Sequence, residues 1–196
     1  MLLLYAIPIG VLLGFVAGGR LAPLGSVRIR WWPLAIGGLL FQVVLFSPPV
    51  ARAVGDLGPA LYVGSTLVVL AALLGNLRQF GFGLILAGAL LNLVAVVANG
   101  GQMPASEAAV REVRGVRDAT AFSNSVVVTE SAPFYHLGDI FVLPHPLPLA
   151  NVFSIGDALI AAGGAWFLAR TMRQQLRPST SRPVSDMPPL AGANGA

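Results

Sequence analysis

Apolar residues run in long blocks along this chain, separated by short stretches rich in arginine, glycine and proline. Five blocks approach the roughly 20 residues that cross a bilayer as helix: residues 1–18, 31–48, 58–76, 80–99 and 151–170. The pattern predicts an all-α integral membrane protein with about five transmembrane helices. A four-helix membrane region occupies residues 1–99, a loop residues 100–150 and the last helix residues 151–170; residues 171–196 form a tail. The Trp31–Trp32 pair opens the second block at the depth where indole rings favour the membrane interface. The first block is apolar from its first residue, and its basic residues follow it. A secretory signal has the reverse order, so a retained span is expected.

Composition sharpens this picture. Of 196 residues, 56% are hydrophobic and 10% charged, and the mean hydropathy is +0.78. Soluble domains carry about 25% charged residues, so disorder throughout, a nucleic-acid-binding tail and an ordinary cytosolic enzyme are excluded. The chain has no cysteine, which removes disulfides, thiolate metal sites and cysteine nucleophiles. All 12 basic residues are arginine. Beside apolar blocks, arginines report orientation rather than nucleic acid, because cationic flanks stay on the cytoplasmic side. Arg20, Arg28, Arg30, Arg78, Arg170, Arg173, Arg177 and Arg182 share one side if the chain crosses five times, whereas Arg52 lies on the other, balanced by Asp56. The expected topology is N-terminus out and C-terminus in, with the 100–150 loop outside. The expected partner is the lipid bilayer, with a membrane-protein partner reached through the tail and outer loop; no nucleic acid is expected.

The outer loop mixes Arg111, Arg114 and Arg117 with Glu107, Glu112 and Asp118. Ser106 is placed to cap a short amphipathic helix running to about Asp118, with Glu107 and Arg111 paired at i,i+4. Val126 to Thr129 reads as a short strand. Pro144, Pro146 and Pro148 forbid helix, so that segment is expected to be extended. After Arg177 the composition turns to Pro, Ser and Gly, which predicts a disordered cytoplasmic tail.

Polar residues inside so apolar a chain are the ones that need a reason. Asn92 lies within the fourth block and Asn99 seven residues on, on the same helical face. An amide in hydrocarbon usually bonds a neighbouring helix, for about 1 kcal/mol, so Asn92 reads as helix–helix glue. Asn99 opens an Asn-Gly-Gly turn and reads as a helix C-cap. Asn92, Asn99 and His136 are the candidate binding residues. Ser154 followed three residues later by Asp157 matches a capping box at the start of the last helix. An ionisable residue beside a span is also a functional candidate. Asp139 sits in a turn within an apolar context. Asp139 and Asp157 both belong to the outer end, so they form the candidate acid/base pair: two carboxylates sharing a proton can activate a water. His136, His145, Asp139 and Asp157 lack a metal-binding spacing, and no metal or cofactor is expected. A transporter would need repeated halves and broken helices. Five blocks do not divide in two, and only Asn92, Gln42 and a few hydroxyls lie deep.

Several of these segments are similar to those of the DUF5317 family of uncharacterised bacterial membrane proteins. They are Gly18-Gly19-Arg20-Leu21, Asn99-Gly100-Gly101-Gln102-Met103-Pro104, Leu137-Gly138-Asp139-Ile140 and Ser154-Ile155-Gly156-Asp157-Ala158-Leu159-Ile160. The resemblance implies a multi-pass protein of the bacterial plasma membrane, with an accessory or binding role at the outer face, and implies no activity. A second, local resemblance is to lipoprotein signal peptidase, an aspartyl peptidase. The segment ending in Asn92, the Gly138-Asp139-Ile140 element and residues 151–160 each resemble one of its motifs. That resemblance implies Asp139 and Asp157 as catalytic carboxylates. The chain departs from it in having five blocks rather than four spans, Leu93-Val94 in place of Asp-Arg, and an inserted loop between Asn92 and Asp139.

Overall fold

The computed structural model describes residues 2–114, 125–148 and 150–174. The chain runs α1 (Leu2–Val16), α2 (Trp32–Leu45), α3 (Pro48–Val54), α4 (Gly58–Leu74), α5 (Phe82–Ala98), β1 (Met103–Ser106), α6 (Glu107–Arg114), β2 (Ser125–Val128), β3 (Phe141–Leu143), β4 (Asn151–Phe153) and α7 (Ile155–Met172). It is mostly helical. The five long helices α1, α2, α4, α5 and α7 fall within or close to the five apolar blocks. Proline stands in the first turn of α2, α3 and α4, where its missing N–H costs nothing and its fixed φ starts a helix. Helix α3, in what reads as a loop from hydropathy alone, is one result. A single 3-10 turn at Gly55–Leu57 joins it to α4. The resulting 27-residue stretch Pro48–Leu74 is, among the described residues, the one helix long and apolar enough to cross a membrane by length and composition. The apolar helices Leu4–Val16, Trp32–Leu45 and Phe82–Ala98 are shorter.

The long helices pack in the order α1–α7–α5–α4–α2, so that α1 and α2 stand at the ends of a row. Glycine sets the spacing along part of it. A Cβ at Gly163 of α7 would lie 2.6 Å from the Gly81 carbonyl oxygen just before α5, and one at Gly156 would lie 2.6 Å from the Gly88 carbonyl oxygen. The two pairs are seven residues apart on each strand of the contact, so the antiparallel helices touch backbone to backbone for two turns. On the opposite flank of α7, a Cβ at Gly10 would lie 2.8 Å from the Ala165 Cα, and one at Gly14 2.5 Å from the Met172 Sδ. Helix α1 therefore runs parallel to α7, and the Arg20 N–H donates to the Met172 carbonyl at 2.8 Å. Leu70, Leu73 and Phe82 form a small core at the α4–α5 turn, with Phe82 edge-on to Phe167 at 5.4 Å.

One end of the row collects the C-termini of α1, α4 and α7 and the N-termini of α2 and α5. Buried Asn76 closes it: its amide donates to the Arg30 and Ala72 carbonyls, both at 2.7 Å, and its oxygen accepts from the Arg30 N–H at 2.8 Å. At the other end the described residues between 103 and 153 fold into a cap. Helix α5 ends with the Gly101 N–H on the Val96 carbonyl at 2.8 Å, a Schellman closure with Gly100 at φ 68°. Strand β1, buried throughout, pairs in parallel with β2, Pro104 opposite Val126. The backbone of Asp139 bonds to β1 as well, through the Pro104 carbonyl at 2.8 Å and the Ser106 N–H at 3.1 Å. Strands β3 and β4 form an antiparallel pair with Phe141 opposite Phe153.

The cap departs from the sequence expectations in three places. Residues 151–153 are strand rather than helix, because Ser154 caps α7 and the preceding residues pair with β3. The expected strand at 126–129 appears as β2, but with three further strands around it. Residues 144–147 turn rather than extend, the Leu147 N–H reaching the Pro144 carbonyl at 3.1 Å. Ser106 caps α6 through the Ala109 N–H at 3.4 Å, and Glu107 pairs with Arg111 as expected. The continuation of that helix to Asp118 and the tail after residue 174 lie outside the described residues.

Candidate functional site at the α5–α7 contact

Three of the polar residues singled out in the sequence, Asn92, Ser154 and Asp157, meet where α7 begins against α5. Ser154 is fully buried and has extended backbone, which frees its side chain to cap the helix. Its Oγ accepts the Asp157 N–H at 2.9 Å, and the Asp157 Oδ2 accepts the Ser154 N–H at 3.4 Å. This is the reciprocal capping box that the Ser-x-x-Asp spacing predicts. Asn92, approaching from α5, completes the cluster. Its Nδ2 donates to the Asp157 Oδ1 at 2.8 Å, and its Oδ1 accepts from the Ser154 Oγ at 2.8 Å. One amide thus bridges the hydroxyl and the carboxylate of the cap. Gly156 makes the approach possible, since a Cβ there would stand 2.6 Å from the Asn92 Cγ.

Asn99, two turns further on at the C-cap of α5, donates to the Ala95 carbonyl and to the Pro133 carbonyl, each at 2.8 Å. It therefore caps its own helix and ties the cap loop down, apart from the Asn92 cluster. Asp139 is half-buried beside β1, two residues after Leu137, which packs on Ala95, Val96 and Met103. Tyr62 of α4 packs on the same residues, lies edge-on to Phe46 at 5.0 Å, and is within electrostatic range of both Asp157 and Asp139. Sequence reasoning missed Tyr62; its signal was a tyrosine three and four residues before Ser65 and Thr66 near the start of the third block.

His136 is exposed on the cap, edge-on to Tyr135 at 5.6 Å, and makes no hydrogen bond to Asn92, Ser154 or Asp157 among the described residues. The His145 Nε2 lies 3.2 Å from the Val113 carbonyl. Among the described residues no group of three or more His, Cys, Asp or Glu side chains comes together to hold a metal. Every buried polar side-chain atom among them has a hydrogen-bond partner.

Chemically, the cluster is closed on itself. Each Asp157 oxygen already accepts a hydrogen bond, the Ser154 hydroxyl both gives and takes one, and the Asn92 amide is used at both ends. The clefts beside Arg20, between α2 and α4, and between α4 and α5 are lined by neither Asp139 nor Asp157. Such an arrangement locks two helices and orients a cap.

These features define a mostly helical protein with a small mixed cap and one helical stretch fit to cross a membrane. The chain belongs to a family of unknown function, DUF5317, whose sequence profile matches residues 26–169. No curated protein and no solved structure matches it.

Proposed function

We propose that this is a multi-span bacterial plasma-membrane protein with about five transmembrane helices, serving an accessory or binding role at the outer face. The observation that carries the reading is the exposure of large apolar side chains around the helices. On α1, Leu4, Ile7, Leu12, Leu13, Phe15 and Val16 are all about half or more exposed. At 100° per residue these positions and Ile9 sweep roughly 240° of the helix. Only the face of Ala6, Gly10 and Gly14 is covered. A helix in water turns a polar face outward, and a soluble monomer rarely leaves an apolar patch above a few hundred Å². Lipid is the solvent that suits these helices. Helices of 14 to 18 residues are about 21–27 Å long at 1.5 Å per residue. They approach the roughly 30 Å hydrocarbon core, with their flanking turns supplying the rest. The arginine-rich end then faces the cytoplasm and the cap faces out.

The absence of cysteine makes the test direct. Single-cysteine versions Arg78→Cys and Thr129→Cys are probed in intact cells with a membrane-impermeant maleimide. Thr129→Cys is expected to react at once, and Arg78→Cys only after permeabilisation. The opposite order overturns the orientation, and release of the protein by alkaline carbonate overturns membrane residence.

A second reading, an aspartyl membrane hydrolase using Asp139 and Asp157 as acid and base, is favoured by one observation: Tyr62 is within electrostatic range of both carboxylates. It predicts cleavage of a diacylated lipobox peptide that Asp139→Asn and Asp157→Asn each abolish while remaining folded. General acid/base work needs hydrogen-bond reach directly or through one water, and the bonds filling Asp157 favour the first reading.

A further inference from the structure

Among the described residues, all the charged side chains at the end opposite the cap are arginines: Arg20, Arg28, Arg30, Arg78, Arg170 and Arg173. Two of these are engaged by aromatic rings, Arg30 over Trp31 at 4.5 Å and Arg170 over Phe80 at 4.9 Å. The sole ion pair among the described residues is Glu107–Arg111, in the cap. Arg20 and Arg173 line a common cleft of about 570 Å³ between the α1 exit and the end of α7. Gln174 adds an amide, while Ala22, Pro23 and Met172 form an apolar wall. Pro23 and Met172 are buried, so that wall is part of the packed structure. The cleft floor is held by the Arg20 N–H on the Met172 carbonyl at 2.8 Å, which places the two arginine backbones beside each other.

We propose that this cleft binds a phosphate oxyanion, and that its source is the headgroup of an anionic phospholipid of the inner leaflet. Two guanidinium groups with no carboxylate partner among the described residues match a phosphate diester, which accepts paired N–H donors. The apolar wall beside them suits the start of an acyl chain, which free phosphate does not have. Basic pockets between helices on the cytoplasmic side are suited to such headgroups. The assignment rests on the membrane reading above.

The test uses the full chain purified in a neutral detergent and follows its thermal unfolding. Dioleoyl phosphatidylglycerol, dioleoyl phosphatidylcholine and inorganic phosphate are titrated separately. Phosphatidylglycerol is expected to raise the midpoint, with phosphatidylcholine and millimolar phosphate giving no comparable shift. In the Arg20→Gln/Arg173→Gln double variant the half-maximal lipid concentration is expected to rise at least tenfold. The charge-matched Arg28→Gln/Arg78→Gln control is expected to stay within twofold of the parent. Equal weakening in the control, or an undiminished shift in the double variant, overturns the site. A phosphate shift as large as the lipid shift overturns the lipid source. Failure of membrane residence itself shows separately, in the carbonate extraction and maleimide order.

Discussion

Glycine does different things at two contacts of the helix row, α5–α7 and α2–α4. On the α5–α7 contact, Gly81, Gly88, Gly156 and Gly163 bring two backbones together so closely that any Cβ would collide with a carbonyl or its neighbours. On α2 and α4, Gly37 and Gly64 have nothing within 4 Å of the Cβ position and line an open groove of about 430 Å³. The first contact is completed by a polar lock of Asn92, Ser154 and Asp157. The α2–α4 pair has a looser one, with the Gln42 amide donating to Ser65 Oγ at 3.1 Å and Thr66 Oγ1 at 3.2 Å. Close backbone approach lets small-residue helices gain dispersion where lipid removes the hydrophobic drive. The α5–α7 seam is therefore the rigid element that carries the cap, and the outer face of α2–α4 is where the row ends.

The largest test of that contrast is Gly156→Leu. Its side chain has no room between Asn92 and Gly88, so a loss above about 3 kcal/mol in a detergent unfolding titration is expected, at or beyond the upper end of overpacking costs. Survival at parental stability would mean the seam is not close-packed. Next in size is Asn92→Ala, which strands the Ser154 hydroxyl and the Asp157 carboxylate together. A loss of about 1–3 kcal/mol by the same titration is expected. Ser154→Ala removes the cap on α7 and is expected to cost about 1 kcal/mol. Faster hydrogen exchange in the first turn of α7 should accompany it. Smallest, and of opposite sign, is Gly64→Ala, expected to stabilise by about 0.5–1 kcal/mol because the added methyl meets no atom and the unfolded chain loses freedom. If it destabilises instead, that groove is occupied, and the contrast between the two contacts disappears.

Much of the site was legible in local spacing. Ser154 and Asp157 are three residues apart, and a capping box depends on that separation alone. Asn99 before two glycines likewise announced the end of α5. The Asn92 partner was not legible, because nothing local to residue 92 says which helix faces it. Tyr62 was hidden for the same reason: it stands on α4, 95 residues before Asp157 in the chain, and only the packing brings it within electrostatic range of the carboxylates. His136, a candidate binding residue, lies on the exposed rim, where the fold gives it no part in the Asn92 cluster. In the cap, β1, β3 and β4 are only three or four residues long, too short for an alternating pattern to stand out.

By itself, the sequence determined the apolar blocks, the five long helices within them, the arginine-rich flanks and the caps at Ser106, Asn99 and Ser154. Each follows from hydropathy or from bonds closed within a few residues. Only the tertiary structure decided that α7 lies between α1 and α5, that Asn92 meets Ser154 and Asp157, and that Arg20 and Arg173 share one cleft. Helix order here is set by which backbones can approach closely and which buried amides find partners. Those are properties of pairs of surfaces, and a single chain of letters lists the surfaces without pairing them.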